Sequence, residues 1–365
     1  MAPKAGMDSE VIQAPCFYDL DQDMQSLMLE GVLGNRGNVV SRLNGMCGDI
    51  FVLDQGANVT PRYVCAKVPR RTESISPEEA SMRFVGELEL QLGYYHHAFV
   101  HWCFDLKEVL GVPVALFRFW GADLRHVMPS QSVIEKLSLI AYSCSGLMHC
   151  YRKWLVAHQD LKPANIFVRD VKCAFPGLPP LDIYKVALVA DFGLANASIN
   201  SGVFEGSRPY MSPEQWAKSP LSEKTDVFAL GVILHELLTD GYHPAGLKTA
   251  DVWPAPAAGQ SKKWTRAEAW RKWIDKNCPL DSAVQMDDDA RELIQRMLSP
   301  DPNNRPSMAS TRESVLGLVK DRSGEAHHQL QFLLDHFDGQ ASQAPIDTEW
   351  PHLAKAWKRL KLRFG

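Results

Sequence analysis

The chain has 365 residues, 45% of them hydrophobic and 22% charged, with a formal net charge of −4. This composition is ordinary for a globular protein, and it lacks the basic excess of a nucleic-acid-binding domain, so neither disorder nor a nucleic-acid partner is expected. The length fits one large two-lobed domain or two smaller ones.

The pattern of cysteines and of apolar runs helps to predict the cellular compartment of the protein. None of the 8 cysteines forms a CxxC pair, so reduced thiols are the simplest expectation. No apolar run approaches the roughly 18 residues that span a bilayer. The first residues, MAPKAG, lack the apolar core of a signal peptide. We therefore expect a cytoplasmic protein with no transmembrane segment.

Periodicity predicts the main elements in chain order. The run YVCAKV at residues 63–68 alternates like a half-buried strand. A capping Ser, a Pro and early acids at residues 76–79 begin a helix that continues to about residue 95. Residues 112–120 form an apolar strand, and apolar residues recur with helical spacing over residues 132–154.

Two short motifs carry the strongest functional signal. Residues 158–165 read HQDLKPAN and residues 191–193 read DFG. They hold side chains that phosphoryl transfer needs: Asp160 can take a hydroxyl proton, and Lys162 can neutralise a phosphate. Asn165 and Asp191 offer the hard oxygen ligands that Mg²⁺ prefers. The sequence here resembles the Ser/Thr branch of the eukaryotic-type protein kinases, whose corresponding motifs read HRDLKxxN and DFG.

Further runs follow in the order of that family. YVCAKV resembles its VAIK strand and makes Lys67 the phosphate-anchoring lysine. Three later runs resemble the end of an activation segment, the helix that supports the catalytic loop and a late arginine motif: GSRPYMSPE at 206–214, DVFALG at 226–231 and DPNNRP at 301–306.

The resemblance implies an α+β, two-lobed protein-kinase-like fold. Its N-lobe would be small and β-rich with one regulatory helix, and its C-lobe larger and mainly helical. The expected divisions are an N-terminal extension at residues 1–37, the N-lobe and hinge at 38–122, the C-lobe at 123–320 and a C-terminal helical extension at 321–365.

A kinase N-lobe needs a glycine turn, because glycine lets backbone N–H groups approach the phosphates. Glycines 31, 34 and 37 lie too far before Lys67 to share a hairpin with it. Residues 43–51, LNGMCGDIF, fit the family pattern GxGxxGxV with Leu43 in place of the first glycine. We favour this second segment, although an ordinary hairpin turn is the alternative. It assigns three residues to the nucleotide site: Gly45, Gly48 and Ile50.

The resemblance also assigns the rest of the nucleotide site. Lys67 needs a glutamate partner to stay charged and aimed at the phosphates, and Glu87 fits the family spacing better than Glu89. Ala66 is expected beside the nucleotide. The strand at 112–120 would lead into the hinge, with Phe117 as gatekeeper. The hinge register is open by one residue, and two further residues are assigned there: Phe119 to the adenine and Asp123 to the ribose. For Asp123, a solvated acid at a helix start is an equal alternative.

The resemblance implies an enzyme that uses ATP and Mg²⁺ to phosphorylate Ser or Thr hydroxyls of a protein substrate. A pseudokinase scaffold that binds nucleotide weakly is the first alternative, suggested by Leu43 and Gln159. A small-molecule phosphotransferase is the second, although such enzymes usually lack the activation segment.

Gln159 is the clearest departure from the family. An arginine commonly stands there and pairs with a phosphorylated activation loop, which a neutral amide cannot do. Residues 194–204 contain only Ser198 and Ser201 as hydroxyl residues. We therefore hypothesise that activity does not require activation-loop phosphorylation. Ser207 takes the place of the family's threonine that contacts the catalytic aspartate and lysine.

Structural roles are expected for four residues of the C-lobe motifs. The family resemblance makes His158 a packing residue and not a general base, and Asp226 the anchor of the catalytic-loop backbone. It pairs Glu214 with Arg305, so that losing either should damage folding.

Two segments depart from the family core. The proline-rich run 173–180 cannot pair as a central strand, so it should be a surface loop, with partner docking as the alternative. The C-terminal residues 350–364 form an apolar helical stripe surrounded by lysines and arginines. Such a helix more often packs on its own domain, although an autoregulatory or partner-binding role is the alternative.

Overall fold

The computed structural model describes residues 16–32, 34, 37–44, 48–71, 75–128, 131–173, 175–252, 267–281, 284–341 and 344–365. These residues separate into two compact units. Unit 1 holds the residues up to Leu88, Cys103–Phe119 and Pro345–Gly365, and unit 2 holds Glu89–Trp102 and Trp120–Ala344. Across the described ranges, no helix is long and apolar enough to cross a membrane.

Unit 1 is built on an antiparallel sheet of order β1-β2-β3-β5-β4. Its strands are β1 (Asn38–Asn44), β2 (Gly48–Asp54), β3 (Tyr63–Pro69), β4 (Cys103–Val109) and β5 (Val112–Arg118). The predicted strands at 63–68 and 112–120 are present, although β5 ends two residues early. β1 pairs with β2 as far as Asn44 opposite Asp49, so the described ends of the favoured glycine segment 43–51 belong to these two strands.

One face of the sheet is covered by the chain that precedes it. Helix α1 (Gln22–Val32) and the short 3-10 turn Phe17–Asp19 supply Leu29 and Phe17 to the core of unit 1. The Phe17 ring meets the ring of Phe51 edge-on at 6.3 Å, and the Phe17 N–H donates to the carbonyl of Leu110 at 3.2 Å. Part of the expected N-terminal extension therefore belongs to this core.

Helix α2 (Pro77–Gly93) starts as its cap predicts, because the Ser76 hydroxyl accepts the N–H of Glu79 at 3.1 Å. Its buried apolar residues recur three or four positions apart, which turns one face of the helix inward: Phe84, Val85, Leu88 and Leu92. The division between the two units falls after Leu88.

Unit 2 is mainly helical. Its longer helices are α4 (Val133–Arg152), α7 (Glu223–Leu238), α9 (Ala267–Asp275), α10 (Asp288–Met297), α11 (Met308–Arg322) and α12 (Gly324–Gln340). Its described residues also include four short α-helices: α3 (Leu124–Val127), α5 (Ala197–Asn200), α6 (Pro213–Ala217) and α8 (Thr249–Val252). The predicted helix over residues 132–154 is present as α4, and it is capped by Ser132, whose hydroxyl accepts the N–H of Glu135 at 3.2 Å. The predicted mixture of a β-rich and a helical part is therefore confirmed.

A two-stranded sheet, β6 (Ile166–Asp170) and β7 (Lys185–Val189), lies between the HQDLKPAN and DFG motifs in the sequence. The described residues of the proline-rich run connect these strands, and most of their side chains are exposed, as a surface loop requires. The loop lengthens the chain between the motifs while β6 and β7 stay paired along their whole length.

The C-terminal segment is shared between the units. In unit 2, Asp338 of α12 accepts one hydrogen bond from Arg312 at 2.6 Å and contacts His97 at 3.1 Å. Helices α13 (Ile346–Glu349) and α14 (Pro351–Phe364) belong to unit 1. There Leu353 and Leu360 of α14 are buried and Arg363 pairs with Glu108 of β4, while Leu362 stays 89% exposed. The apolar stripe therefore packs on its own unit and leaves the basic side chains outside.

Candidate active site

In unit 1, strand β3 carries Lys67 and helix α2 carries Glu87, and the two side chains form the predicted ion pair. Glu87 is buried, whereas the side chain of Glu89 is exposed. The ammonium of Lys67 also lies 5.7 Å from the ring centre of Phe84. A carboxylate partner favours the charged form of a lysine, so this arrangement agrees with the predicted pairing of Lys67 and Glu87.

The other predicted residues of unit 1 lie along the same sheet. Ile50 stands opposite Lys67 in the β2–β3 pairing, and Ala66 is buried beside it. A Cβ at Gly48 would lie 2.6 Å from the carbonyl oxygen of Val68, so this position requires glycine. The N–H of Phe119 donates to the carbonyl of Tyr63 at 3.1 Å. Gly45 lies outside the described residues.

Asp123 of unit 2 is a helix cap. Its carboxylate accepts the backbone N–H of Arg125 at 2.9 Å and the Arg125 side chain at 2.7 Å, and it contacts His126 at 2.9 Å. Burial raises the pKa of Asp123, but its bonds to Arg125 and His126 outweigh burial and lower that pKa below its usual value. Asp123 therefore stands at a helix start, as one of its two predicted roles has it. The predicted bond to ribose would have to form with a carboxylate that already contacts three donors.

The catalytic-loop side chains of unit 2 converge on Asp160, which is buried. One carboxylate oxygen accepts the ammonium of Lys162 at 2.6 Å and the amide of Asn165 at 3.2 Å. The other accepts the backbone N–H of Ser207 at 2.8 Å, and the Ser207 hydroxyl accepts Lys162 at 2.9 Å. Asp160 is thus fixed from three directions by the residues that the sequence had singled out.

Asp226 holds the backbone of this loop, as predicted. It accepts the N–H groups of His158 at 2.8 Å and Gln159 at 3.2 Å, and the hydroxyl of Tyr151 at 2.7 Å. Burial raises the pKa of Asp226, although these donors and the nearby His158 limit the rise. Gln159 is held with a φ of +67°, a conformation that a non-glycine residue keeps only when its surroundings impose it.

Ala190 connects the two motifs through both of its backbone groups. Its N–H donates to the carbonyl of Asn165 at 2.9 Å, and its carbonyl accepts Nε2 of His158 at 3.1 Å, which places a proton on Nε2. Phe192, two residues after Ala190, is fully buried, and the centre of its ring lies 4.9 Å from that of the His158 ring. Asp191, with a φ of +62°, is therefore fixed in position relative to Asn165.

The residues available for Mg²⁺ fit the ion chemically. Asn165 and Asp191 supply an amide and a carboxylate oxygen, and Mg²⁺ is usually bound through one or two carboxylates together with water and substrate phosphates. Among the described residues, no cluster of three or more His, Cys, Asp or Glu side chains forms an all-protein metal site. Such a cluster is not needed for an ion that the substrate phosphates help to bind.

The predicted ion pair between Glu214 and Arg305 is present and buried. Arg305 donates to both Glu214 oxygens at 2.7 and 2.9 Å, and its remaining N–H groups donate to the carbonyls of Ser299, Lys224 and Pro300. Burial raises the pKa of Glu214, but the hydrogen bonds and charge of Arg305 lower it below its ordinary value. All five guanidinium donors are used, so this is a structural pair.

Two further residues of the site were not anticipated. Glu236 of α7 accepts the hydroxyl of Tyr210 at 2.9 Å and that of Thr249, and burial raises its pKa to about 7. Gln215 of α6 bonds both the catalytic loop and the activation segment. A local signal for Gln215 did exist, because Ser212 and Gln215 form the S-x-x-Q capping box of α6.

Comparison with known proteins agrees with this geometry. The protein kinase domain family matches residues 121–315, which is just over half of the chain. The chain therefore belongs to the protein kinase domain family.

Several protein kinases, some of them named serine/threonine-protein kinases, are similar to this chain. STY17 of Arabidopsis thaliana is 26% identical over 210 residues, which cover 57% of this chain and 32% of that protein. The interferon-induced, double-stranded RNA-activated protein kinase of Mus musculus is 30% identical over 193 residues, or 51% of this chain and 30% of that protein. A probable serine/threonine-protein kinase of Clostridium acetobutylicum is 28% identical over 221 residues, or 58% and 31%. The matched stretch spans about a third of the length of these relatives.

Proposed function

We propose that this protein is a Ser/Thr protein kinase that transfers the γ-phosphoryl group of Mg-ATP to a protein hydroxyl. The observation that carries the proposal is the arrangement around Asp160. Its carboxylate is aligned by Lys162, Asn165 and the N–H of Ser207, and phosphoryl transfer depends mainly on such positioning and on charge.

Each side chain then has a part in the reaction. Asp160 orients the acceptor hydroxyl and accepts its proton, while Lys162 offsets the negative charge of the moving phosphoryl group. Lys67, paired with Glu87, binds the α and β phosphates. Mg²⁺ held by Asn165 and Asp191 would supply positive charge to the terminal phosphates.

The acceptor class follows from Lys162 and Ser207. Their side chains bond each other and Asp160, and the resembled Ser/Thr kinases use a lysine and a hydroxyl residue at these positions. Gln159 replaces the arginine that would bind a phosphorylated activation loop. We therefore include in the proposal that activity does not depend on phosphate at Ser198 or Ser201.

A pseudokinase scaffold is the second candidate, and Leu43 favours it. This residue stands where the family has its first turn glycine, and its side chain is 45% exposed at the end of β1. A side chain there would restrict the approach of the turn to phosphates, which predicts weak nucleotide binding.

A peptide-array assay with radiolabelled ATP and Mg²⁺ distinguishes the two candidates. The full chain should label Ser or Thr peptides, Asp160→Asn should abolish the labelling, and the exposed Asp321→Asn should leave it unchanged. Weak ATP binding without labelling would establish the scaffold, and phosphate found only on tyrosine would refute the Ser/Thr assignment.

The independence from activation-loop phosphate has its own test. Treatment with phosphatase, and alanine at both Ser198 and Ser201, should leave the labelling rate within about twofold of the untreated protein. Loss of activity in either case would contradict this part of the proposal.

A further inference from the structure

Gln159 and Gln215 each use a side-chain amide to connect the catalytic loop with the activation segment, and the Gln215 amide reaches the backbone carbonyl of Gln159. Both residues belong to unit 2, and their side chains are 4% and 2% exposed. Nε2 of Gln159 donates to the carbonyl of Leu194 at 2.9 Å, directly after the DFG motif. In the part of the chain that the structure describes, Oε1 of Gln159 has no hydrogen-bond donor, so this single bond orients the side chain.

Gln215 holds the other end of the segment. Its Nε2 donates to the carbonyl of Gln159 at 2.9 Å and to that of Glu205 at 3.4 Å. Its Oε1 accepts the N–H of Ser212 at 3.1 Å. The backbones approach closely here, since a Cβ at Gly206 would lie 2.6 Å from the carbonyl oxygen of Gln159.

From these contacts we infer that Gln159 and Gln215 are a pair of positioning residues, which hold the activation segment in its working place by neutral hydrogen bonds. Gln159 fixes the start of the segment at Leu194, and Gln215 fixes its end at Glu205. Ser207 lies two residues after Glu205, and its N–H can then donate to the carboxylate of Asp160. The inference rests on the proposed kinase function and names the device that makes a loop phosphate unnecessary.

Charge is the physical reason that amides suit this task. A buried arginine needs an anion, so an arginine at position 159 would hold the segment only when a phosphate were present. An amide donates to a backbone carbonyl without any change of net charge. The bonds that Gln159 and Gln215 donate to backbone carbonyls are therefore present in the unmodified chain.

Hydrogen exchange tests the pair without requiring activity. We would compare phosphatase-treated full chains carrying Gln159→Met, Gln215→Met or both with the wild type and with Gln295→Met, an exposed control on α10. The amides of residues 205–208 should exchange roughly tenfold faster in each single variant, because about 1 to 2 neutral hydrogen bonds are lost. The wild type and Gln295→Met should exchange alike, and equal exchange in all five proteins would overturn the inference.

Kinase activity supplies the second readout. Each Met variant should lose roughly tenfold in kcat/KM, and the double variant should lose little more than the worse single one, since both residues hold one segment. Losses that multiply in full would show independent roles and overturn the pairing. If Gln215→Met does not fold, Gln215→Glu replaces it, because glutamate keeps the acceptor for Ser212 but lacks the donors.

The two proposals fail in different ways. A wild-type chain that labels no peptide refutes the proposed function, while the exchange comparison still decides whether the two amides hold the segment. The converse result is a wild type that labels peptides while the Met variants exchange their amides at the wild-type rate. That result would support the kinase function and refute the positioning role of the two glutamines.

Discussion

Glu214 and Glu236 are both buried in unit 2, 6% and 1% exposed, yet their environments differ. Glu214 receives two hydrogen bonds from Arg305, which lower its pKa although burial opposes this. Glu236 receives hydroxyl donors, and burial raises its pKa to about 7. For these two carboxylates, the paired cation of Glu214 lowers the pKa, whereas the hydroxyl donors of Glu236 do not offset the effect of burial.

The surroundings of Glu214 and of Glu236 therefore respond differently to a change of pH. The Glu214 region is a fixed charged pair that stays ionised at neutral pH. Around Glu236, which contacts Tyr210 near the end of the activation segment, the charge changes close to neutral pH. Four substitutions, in order of decreasing expected effect, test this difference between the two carboxylates.

Arg305→Met should have the largest effect. It leaves Glu214 buried without its cation, and breaking a buried ion pair from one side costs about 3 to 5 kcal/mol. Urea unfolding at pH 7.5 would measure the loss, and the exposed Arg296→Met on α10 should change stability by less than about 0.5 kcal/mol. A loss below about 1 kcal/mol would mean that the pair is not structural.

Glu236→Gln should remove a pH dependence of stability. A pKa raised from 4.5 to about 7 means that the folded state binds the proton more tightly, so rising pH through this window destabilises the wild type. Relative to the glutamine variant, the wild type should lose about 3 kcal/mol between pH 4.5 and 7.5. Unfolding curves of both proteins at the two pH values test this, and a constant difference between them would contradict it.

Tyr210→Phe should cost about 1.5 to 3 kcal/mol at pH 7.5, since the lost hydroxyl donates to a mostly ionised carboxylate without a cation. At pH 5, where Glu236 is protonated, the cost should shrink. Thermal unfolding at the two pH values gives the comparison. The idea fails if the cost is larger at pH 5.

Thr225→Val should have the smallest effect. The Thr225 hydroxyl donates to Glu214 at 2.9 Å, but Arg305 still satisfies both carboxylate oxygens after the change. We expect a loss of about 1 kcal/mol, below that of Tyr210→Phe in the same unfolding assay. The reverse order would show that hydroxyl donors matter equally in both regions.

Much of the fold was predictable because local patterns encode it. The alternation of β3, the caps of α2 and α4 and the buried stripe of α14 all follow from side chains close together in the sequence. The Lys67–Glu87 pair needed the family spacing as well. Strand β5 ends at Arg118, two residues before its apolar run ends. A run of apolar residues indicates which side chains are buried, but it does not show where the backbone pairing of the strand stops.

The rest depended on contacts between distant residues. The capping box of Ser212 and Gln215 predicts the start of a helix. The bond from Gln215 to Gln159, however, joins residues that are 56 positions apart, and no local sequence pattern predicts it. The stripe on α14 shows that one face must be covered, yet not that unit 1 covers it. The roles of the glycine turn, the hinge residues and the catalytic residues stay predictions.

The close approach at Gly206 sets how much variation two neighbouring positions can accept. Glu205 contributes its backbone carbonyl and exposes its side chain, so a mutational scan should find nearly any residue acceptable there. At Gly206, even alanine would push against the carbonyl of Gln159. One step along the chain therefore separates a freely variable position from one restricted to a single amino acid.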